Sequence, residues 1–254
     1  AYTEIADDNG QIVFQLEDGT VTPERPQKTT VISLENFKRM LEPTYLKLLL
    51  RSLARNESTT VTNKTLKNDI KEVDDEDIDV ETVKEYLDIF ARLFITDDQP
   101  PFATKVRSSV RVKQAVKRHF ADPSLACALL KVTPESLIND LETLGFLFEA
   151  LCERDLKIYA ESFGAKLYHY QDYNGREIDA VVELPDSSWC AFEIKLGANQ
   201  IDTAAASLLE IKREIEKEEK GRPPAVLGVV CGLANAAYQR PDGVYVIPIT
   251  ALKN

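Results

Sequence analysis

The sequence is poor in the side chains that soft metals need. It holds two histidines, His119 and His169, and four cysteines, Cys127, Cys152, Cys190 and Cys231, which lie 25 to 41 residues apart with no C-x-x-C pair. A zinc site wants Cys and His at short spacing, so none is expected. The isolated thiols, in apolar settings such as Leu-Ala-Cys127-Ala and Val-Val-Cys231, read as reduced core residues of a cytoplasmic protein. Each histidine reads as packing or surface rather than catalytic. The ten glycines are scattered and none forms G-x-x-x-x-G-K-[ST], so the chain lacks a phosphate-cradling loop and no ATP site is expected in it. No apolar run approaches the roughly 20 residues of a membrane span, and the start, Ala-Tyr-Thr-Glu-Ile-Ala-Asp-Asp, has neither a basic nor an apolar signal region. A soluble, unexported protein with no membrane partner is the expectation. The single methionine, Met40, is internal, which suggests a processed product or a piece of something longer.

What is present is ample core and an acidic balance. Of 254 residues 44% are hydrophobic, and 42 acidic against 31 basic residues give a formal net charge of -11. Such a chain repels phosphate backbones as a whole, which argues against indiscriminate nucleic-acid binding. One run departs from that balance: Lys105, Arg107, Arg111, Lys113, Lys117 and Arg118 fall within fourteen residues. This patch is the candidate nucleic-acid contact, with the acidic stretch of the same chain or of a partner as the other reading.

The pattern divides the chain into residues 1–30, a hairpin around Gln11–Val21 with an Asp18-Gly19 turn and a linker; 31–121, helical; and 122–254, α/β. Helical spacing runs from Ser33 to Arg55 across Pro43, from Asn63 to Ile70, and from an Asp79 cap to Phe94. With a later extended piece at Arg118–Phe120, these suggest a helix-turn-helix with a wing. The would-be recognition helix carries Glu81, Glu85 and Asp88 against Lys84 and Arg92, so packing or dimerisation suits it better than phosphate contact. Asn68–Glu81 holds eight acidic residues of fourteen and reads as a solvated loop and helix start. Beyond Asp122-Pro123 come a short helix over 125–130 and one long helix from Pro134 to about Tyr159. Strands are expected at 166–170, 177–184 and 189–196, then a helix from Ile201 to about Lys217 and strands at 225–231 and 243–248. That order describes a mixed sheet: an antiparallel meander, then a crossover helix that adds a parallel neighbour.

Glu149 on the long helix, Asp179 in Arg-Glu-Ile-Asp179-Ala-Val-Val, and Glu193-Ile-Lys195 carry the chemistry. Alternation along a strand places Glu193 and Lys195 on one face with Ile194 opposite, and Asp179 on the hairpin partner can share that face. Carboxylates hold a hard Mg²⁺ through oxygen, and a lysine beside them orients or deprotonates a water for attack on phosphorus. Asp179 and Glu193 are the candidate metal ligands. The three-letter motif alone is weak, since Glu210-Ile-Lys212 repeats it within a helix, where the two side chains lie about 200° apart around the axis. A solvated Glu-x-Lys on an amphipathic strand stays open on these residues.

In combination, Gly145-Phe-Leu-Phe-Glu149-Ala-Leu, Tyr170-Gln-Asp-Tyr-Asn-Gly-Arg-Glu-Ile-Asp179 and Phe192-Glu193-Ile-Lys195-Leu-Gly197, preceded by His119-Phe-Ala-Asp122-Pro123-Ser-Leu125-Ala, resemble the C-terminal domain of prokaryotic AAA-type ATPases (domain of unknown function 4143). The resemblance covers about residues 35–252. It implies an N-terminal helical winged-helix-like domain followed by a mixed-sheet PD-(D/E)XK restriction-endonuclease-like domain, with Glu149, Asp179, Glu193 and Lys195 at the nuclease-like motif positions. Gln200 would be an auxiliary phosphate contact by analogy, with helix capping or exposure as the plainer reading. The chain departs from the family in lacking the ATPase half, and residues 1–30 match no part of it. Two functions are expected on this basis: a Mg²⁺-dependent phosphodiesterase on DNA or RNA, with Glu149 supporting the metal or a second ion, or an inactive nuclease-fold interaction domain that partners an ATPase module. A homo-oligomer is compatible with either.

Overall fold

The computed structural model describes residues 2–6, 12–16, 21–22, 43–72, 78–104, 114–172, 175–217 and 221–252. The chain forms two compact units, Ala1–Pro43 and Thr44–Asn254. The first holds three antiparallel strands, β1 (Tyr2–Ala6), β2 (Ile12–Leu16) and β3 (Val21–Thr22), paired in that order. The expected hairpin is the β2–β3 pair, and β1 is an addition to it. The Asp18-Gly19 turn, the linker and the expected helical stretch 33–42 lie outside the described residues.

The second unit opens with three helices whose apolar residues recur at one-turn spacing. In α1 (Pro43–Arg55) these are Tyr45, Leu49 and Leu53; in α2 (Asn63–Lys71) Leu66 and Ile70; in α3 (Val80–Arg92) Val83, Tyr86, Leu87 and Phe90. Asp79 caps α3 by accepting from Thr82 N at 2.7 Å, as its position in the sequence requires. Extended segments then bridge Thr59 to Arg118, Thr96 to Phe120 and Gln99 to Lys117, and Pro101 to His169 of the larger sheet. These bridges stitch the helical part to that sheet.

Among the described residues the remaining α-helices are α4 (Pro123–Leu130), α5 (Pro134–Asn139), α6 (Leu141–Ser162) and α7 (Ile201–Lys217). The single helix expected from Pro134 to about Tyr159 is therefore two. Asp140 breaks it, at φ -128° and ψ 78°, because its carboxylate accepts from Thr143 N at 3.1 Å and Thr143 Oγ1 at 2.7 Å. A short side chain that satisfies the new N-terminus competes with helix continuation.

The strands β4 (Lys166–Gln171), β5 (Glu177–Glu183), β6 (Trp189–Lys195), β7 (Val226–Cys231), β8 (Tyr238–Gln239) and β9 (Tyr245–Pro248) form one mixed sheet in the order β4-β5-β6-β7-β9-β8. β4, β5 and β6 run antiparallel, and α7 crosses over to bring β7 parallel to β6. Cys152, Leu156 and Ala160 of α6 pack on Leu167, Ala180, Val182 and Ile194. Ala204, Ala205, Leu208, Ile211 and Ile215 of α7 pack with Trp189, Ala191, Val229 and Val246. The sheet is thus covered by a helix on either side, which keeps its centre dry. All four cysteines are free thiols. Among the described residues no helix is long and apolar enough to cross a membrane.

Candidate functional site

The site forms where the β5–β6 ladder ends. Pairing runs from Glu183↔Trp189 to Ala180↔Phe192 and stops, one step short of Asp179 and Glu193. Between the Tyr168↔Val181 and Tyr170↔Ile178 pairs of β4 and β5 the register shifts, so Asp179 and Ala180 together stand opposite the single residue His169. Such a bulge re-aims a side chain and loosens the ladder beside it. The Asp179 carboxylate takes over the missing rung: its Oδ2 accepts from Ile194 N at 2.7 Å. β6 stays paired to β7 as far as Lys195↔Cys231, which holds Glu193 and Lys195 on a firm strand.

Two lysines clamp the carboxylates. Lys195 Nζ lies 2.9 Å from Asp179 Oδ2 and 2.7 Å from Glu193 Oε2. Lys117 Nζ is bonded to Glu149 Oε1 and lies 2.8 Å from Glu153 Oε1, one turn further along α6. Beyond Glu153 the network continues. His119 Nδ1 is 3.3 Å from Glu57 Oε1, and its Nε2 is 3.2 Å from Glu153 Oε2 without hydrogen-bonding geometry. Ser58 Oγ donates to Glu153 Oε2 at 3.3 Å.

Burial sets the electrostatics of this cluster. Desolvation, with the Asp179 charge adding to it, pushes Glu149 and Glu193 up to about 8, and desolvation pushes Glu153 up to about 7. Burial alone would depress both ammonium groups. The charges of Glu153, Glu149 and Asp179 more than offset it at Lys117, and those of Asp179 and Glu193 do so at Lys195, so both lysines sit above their ordinary range. Burial pushes His169 down to about 4 and lowers His119. Carboxylates that resist ionisation beside lysines that resist deprotonation mark a site short of positive charge.

Among the described residues, two openings reach the Asp179–Lys195 end of the cluster. A groove of about 590 Å³ between the start of α6 and the end of β6 is lined by Glu149, Lys195, Phe146 and Gln200, among others. A cavity of about 210 Å³ is lined by Lys117, Asp179, Ser58, His169 and Phe146, among others. A third, of about 410 Å³, borders Glu153 and His119 but none of Asp179, Glu193 and Lys195. Gln200 is exposed and accepts from Gly197 N at 3.1 Å, which is the capping reading rather than a free polar contact.

The four expected residues, Glu149, Asp179, Glu193 and Lys195, are thus brought to one place. The groups fit a hard divalent cation in type, since Asp179 and Glu193 offer carboxylate oxygens at the open end of a ladder and share an ammonium. Among the described residues no group of three or more His, Cys, Asp or Glu side chains is arranged to hold a metal ion as it stands; the carboxylates come in pairs, each spanned by a lysine. The cationic patch fares differently. Lys105, Arg107, Arg111 and Lys113 lie outside the described residues. Lys117 is turned inward, and Arg118 is bonded to Asp98 and, at 2.8 Å, to Asn63 Oδ1. These two serve ion pairs inside the chain instead of presenting a cationic face. Sequence reasoning also missed Glu57 and Glu153, and took His119 only as packing or surface. The available signal was Glu153, four residues from Glu149 and flanked by Ala150, Cys152 and Leu156 of the buried face.

Comparison with curated proteins and with solved structures gives no match. Residues 33–136 match the family model of a domain of unknown function (DUF8612). Residues 144–252, which carry Glu149, Asp179, Glu193 and Lys195, match the family model of a domain of unknown function (DUF4143). The helical part and the sheet that bears the site are thus matched by two separate family models.

Proposed function

We propose that the site is a Mg²⁺-dependent phosphodiesterase centre of PD-(D/E)XK type acting on DNA or RNA, in a protein whose helical part is winged-helix-like and whose partner is an ATPase module. The observation that carries the reading is the meeting of Asp179, Glu193 and Lys195 where the β5–β6 ladder opens. Asp179 and Glu193 would hold the ion. Bound there, Mg²⁺ would supply positive charge to a phosphoryl oxygen and a more acidic water. Lys195 Nζ has three N–H donors and the carboxylates take two, so the third is free to orient the attacking water toward the groove. Its ammonium is held charged by Asp179 and Glu193, so in the metal-free site it acts as a donor rather than a base. In the reaction the water oxygen bonds to phosphorus and gives up a proton to solvent, the bond to the leaving sugar oxygen breaks, and that oxygen takes up a proton from solvent.

One observation favours the second reading, an inactive interaction domain. The four carboxylates of the site are already paired with lysines of the same chain, and two of the six patch cations are consumed inside it. Calorimetric titration with Mg²⁺ and Mn²⁺, wild type against Asp179→Ala, separates the two. Uptake that disappears in the variant supports the metal centre, and a wild type that takes up neither ion supports the interaction domain.

A further inference from the structure

Lys117 is the cation of the cluster that this reading leaves without a role. It reaches the site from outside the segment that carries the other four groups, on an extended segment bridged to Gln99 through both of its own backbone groups: Lys117 N donates to Gln99 O at 2.9 Å, and Gln99 N donates to Lys117 O at 2.8 Å. Gln99 Nε2 in turn donates to Tyr168 O at 3.0 Å and Asp179 O at 3.4 Å. The segment that delivers the ammonium is therefore tied, through Gln99, to the backbone of Asp179 itself. The side chain is only 10% exposed, and its Nζ joins Glu149 to Glu153 and shares a cavity with Asp179.

Glu149 and Glu153 are neighbours on one helix face, where two like charges repel. The Lys117 ammonium between them offsets that repulsion. Two-ion phosphodiesterase centres hold a second cation about 3.5–4 Å from the first; in this chain the cation between Glu149 and Glu153 is a tethered ammonium. The charge count agrees. With all four carboxyls ionised, the state a bound cation favours, Glu149, Glu153, Asp179 and Glu193 carry four negative charges and Lys117 and Lys195 return two, so the deficit equals the charge of one divalent ion. A second dication beside the Lys117 ammonium would meet repulsion in a desolvated space.

We propose that Lys117 stands in the place of a second metal ion, so that the centre takes one divalent cation, at Asp179 and Glu193, and Glu149 serves as a counter-anion to Lys117. Lys117 is then a positioning residue. The inference rests on the metal-centre reading above, and its failure is separable from that reading's.

The test is Mn²⁺ stoichiometry by calorimetry and electron paramagnetic resonance on the full chain, for wild type, Lys117→Met and Lys117→Met/Glu153→Gln. Wild type should take one ion with the six-line spectrum of an isolated Mn²⁺. Lys117→Met should take two, with the second ion broadening that spectrum, and the double variant, its charge rebalanced, should return to one. If Lys117→Met unfolds without metal, the double variant should still fold and excess Mn²⁺ should refold the single one. Two ions on wild type overturn the inference outright, whatever the variants do. A folded Lys117→Met that matches wild type in stoichiometry and affinity overturns it as well. No ion on wild type but one on Lys117→Met would uphold the role of Lys117 and sink the Asp179–Glu193 metal site instead.

Discussion

Glu193→Gln should flatten the pH dependence of stability. The folded protein holds Glu193 at about 8, against an ordinary 4.5, because of burial first and the Asp179 charge second. A carboxyl raised in this way binds its proton more tightly in the folded state than in the unfolded one. Its contribution is therefore fully present below about 4.5 and is lost as pH rises toward 8. His169, at about 4, and His119, also lowered, act in the opposite sense, but their effect is complete by about 6.5. The interval from 6.5 to 8.5 thus isolates the carboxyls. Each pH unit in it corresponds to about 1.4 kcal/mol, so Glu193 alone should cost roughly 2 kcal/mol between pH 6.5 and 8. Glu149 and Glu153 add in the same direction, and because relief of one charge eases the others, a total loss of roughly 2–4 kcal/mol is expected. Urea unfolding with a chelator present can be followed by the fluorescence of Trp189, which is buried and donates to Arg222 O at 2.8 Å. Over this interval the Glu193→Gln curve should fall about 2 kcal/mol less than that of wild type. Curves that stay parallel within about 0.5 kcal/mol would refute the argument that Glu193 is a desolvated, repelled carboxyl.

Three further substitutions probe other parts of the structure. Asp179→Ala strands the Ile194 N–H and leaves Lys195 with Glu193 alone, so urea unfolding should show a loss of about 1–3 kcal/mol alongside the loss of metal uptake. Asp140→Ala removes the cap of α6 and should cost about 1 kcal/mol, read as a lower urea midpoint with an unchanged slope. Gly228→Ala places a methyl 2.7 Å from Phe192 Cδ1 on the neighbouring strand, and the overpacking should cost about 1–3 kcal/mol, visible as a lower melting temperature.

Local signals were legible and long-range ones were not. The period of two over Trp189–Lys195 places Glu193 and Lys195 together, and the structure joins them at 2.7 Å. The same letters at Glu210 and Lys212 lie in a helix, where Glu210 meets Arg176 and Lys212 meets Glu216. The bulge that turns Asp179 toward them has no local mark, because it depends on how β4 registers against β5. Asp140 looked like one more polar residue in a long helical run, since its capping bond to Thr143 competes with helix continuation only locally. Lys117 is the sharpest case. Among five other cations it reads as surface, yet its partners lie 32 and 36 residues along the chain, and only the fold reveals that it is an internal counter-ion.

Whether Asp179, Glu193 and Lys195 form a working centre is read from cleavage of end-labelled single- and double-stranded DNA and RNA in Mg²⁺ or Mn²⁺ by wild type, Asp179→Ala and Lys195→Ala. Wild type should cleave at least one substrate in a metal-dependent way, and each variant should lose roughly 100-fold or more of that activity. Wild type that cleaves none of the four in either metal, or a Lys195→Ala protein that cleaves as fast as wild type, would contradict the metal-centre reading.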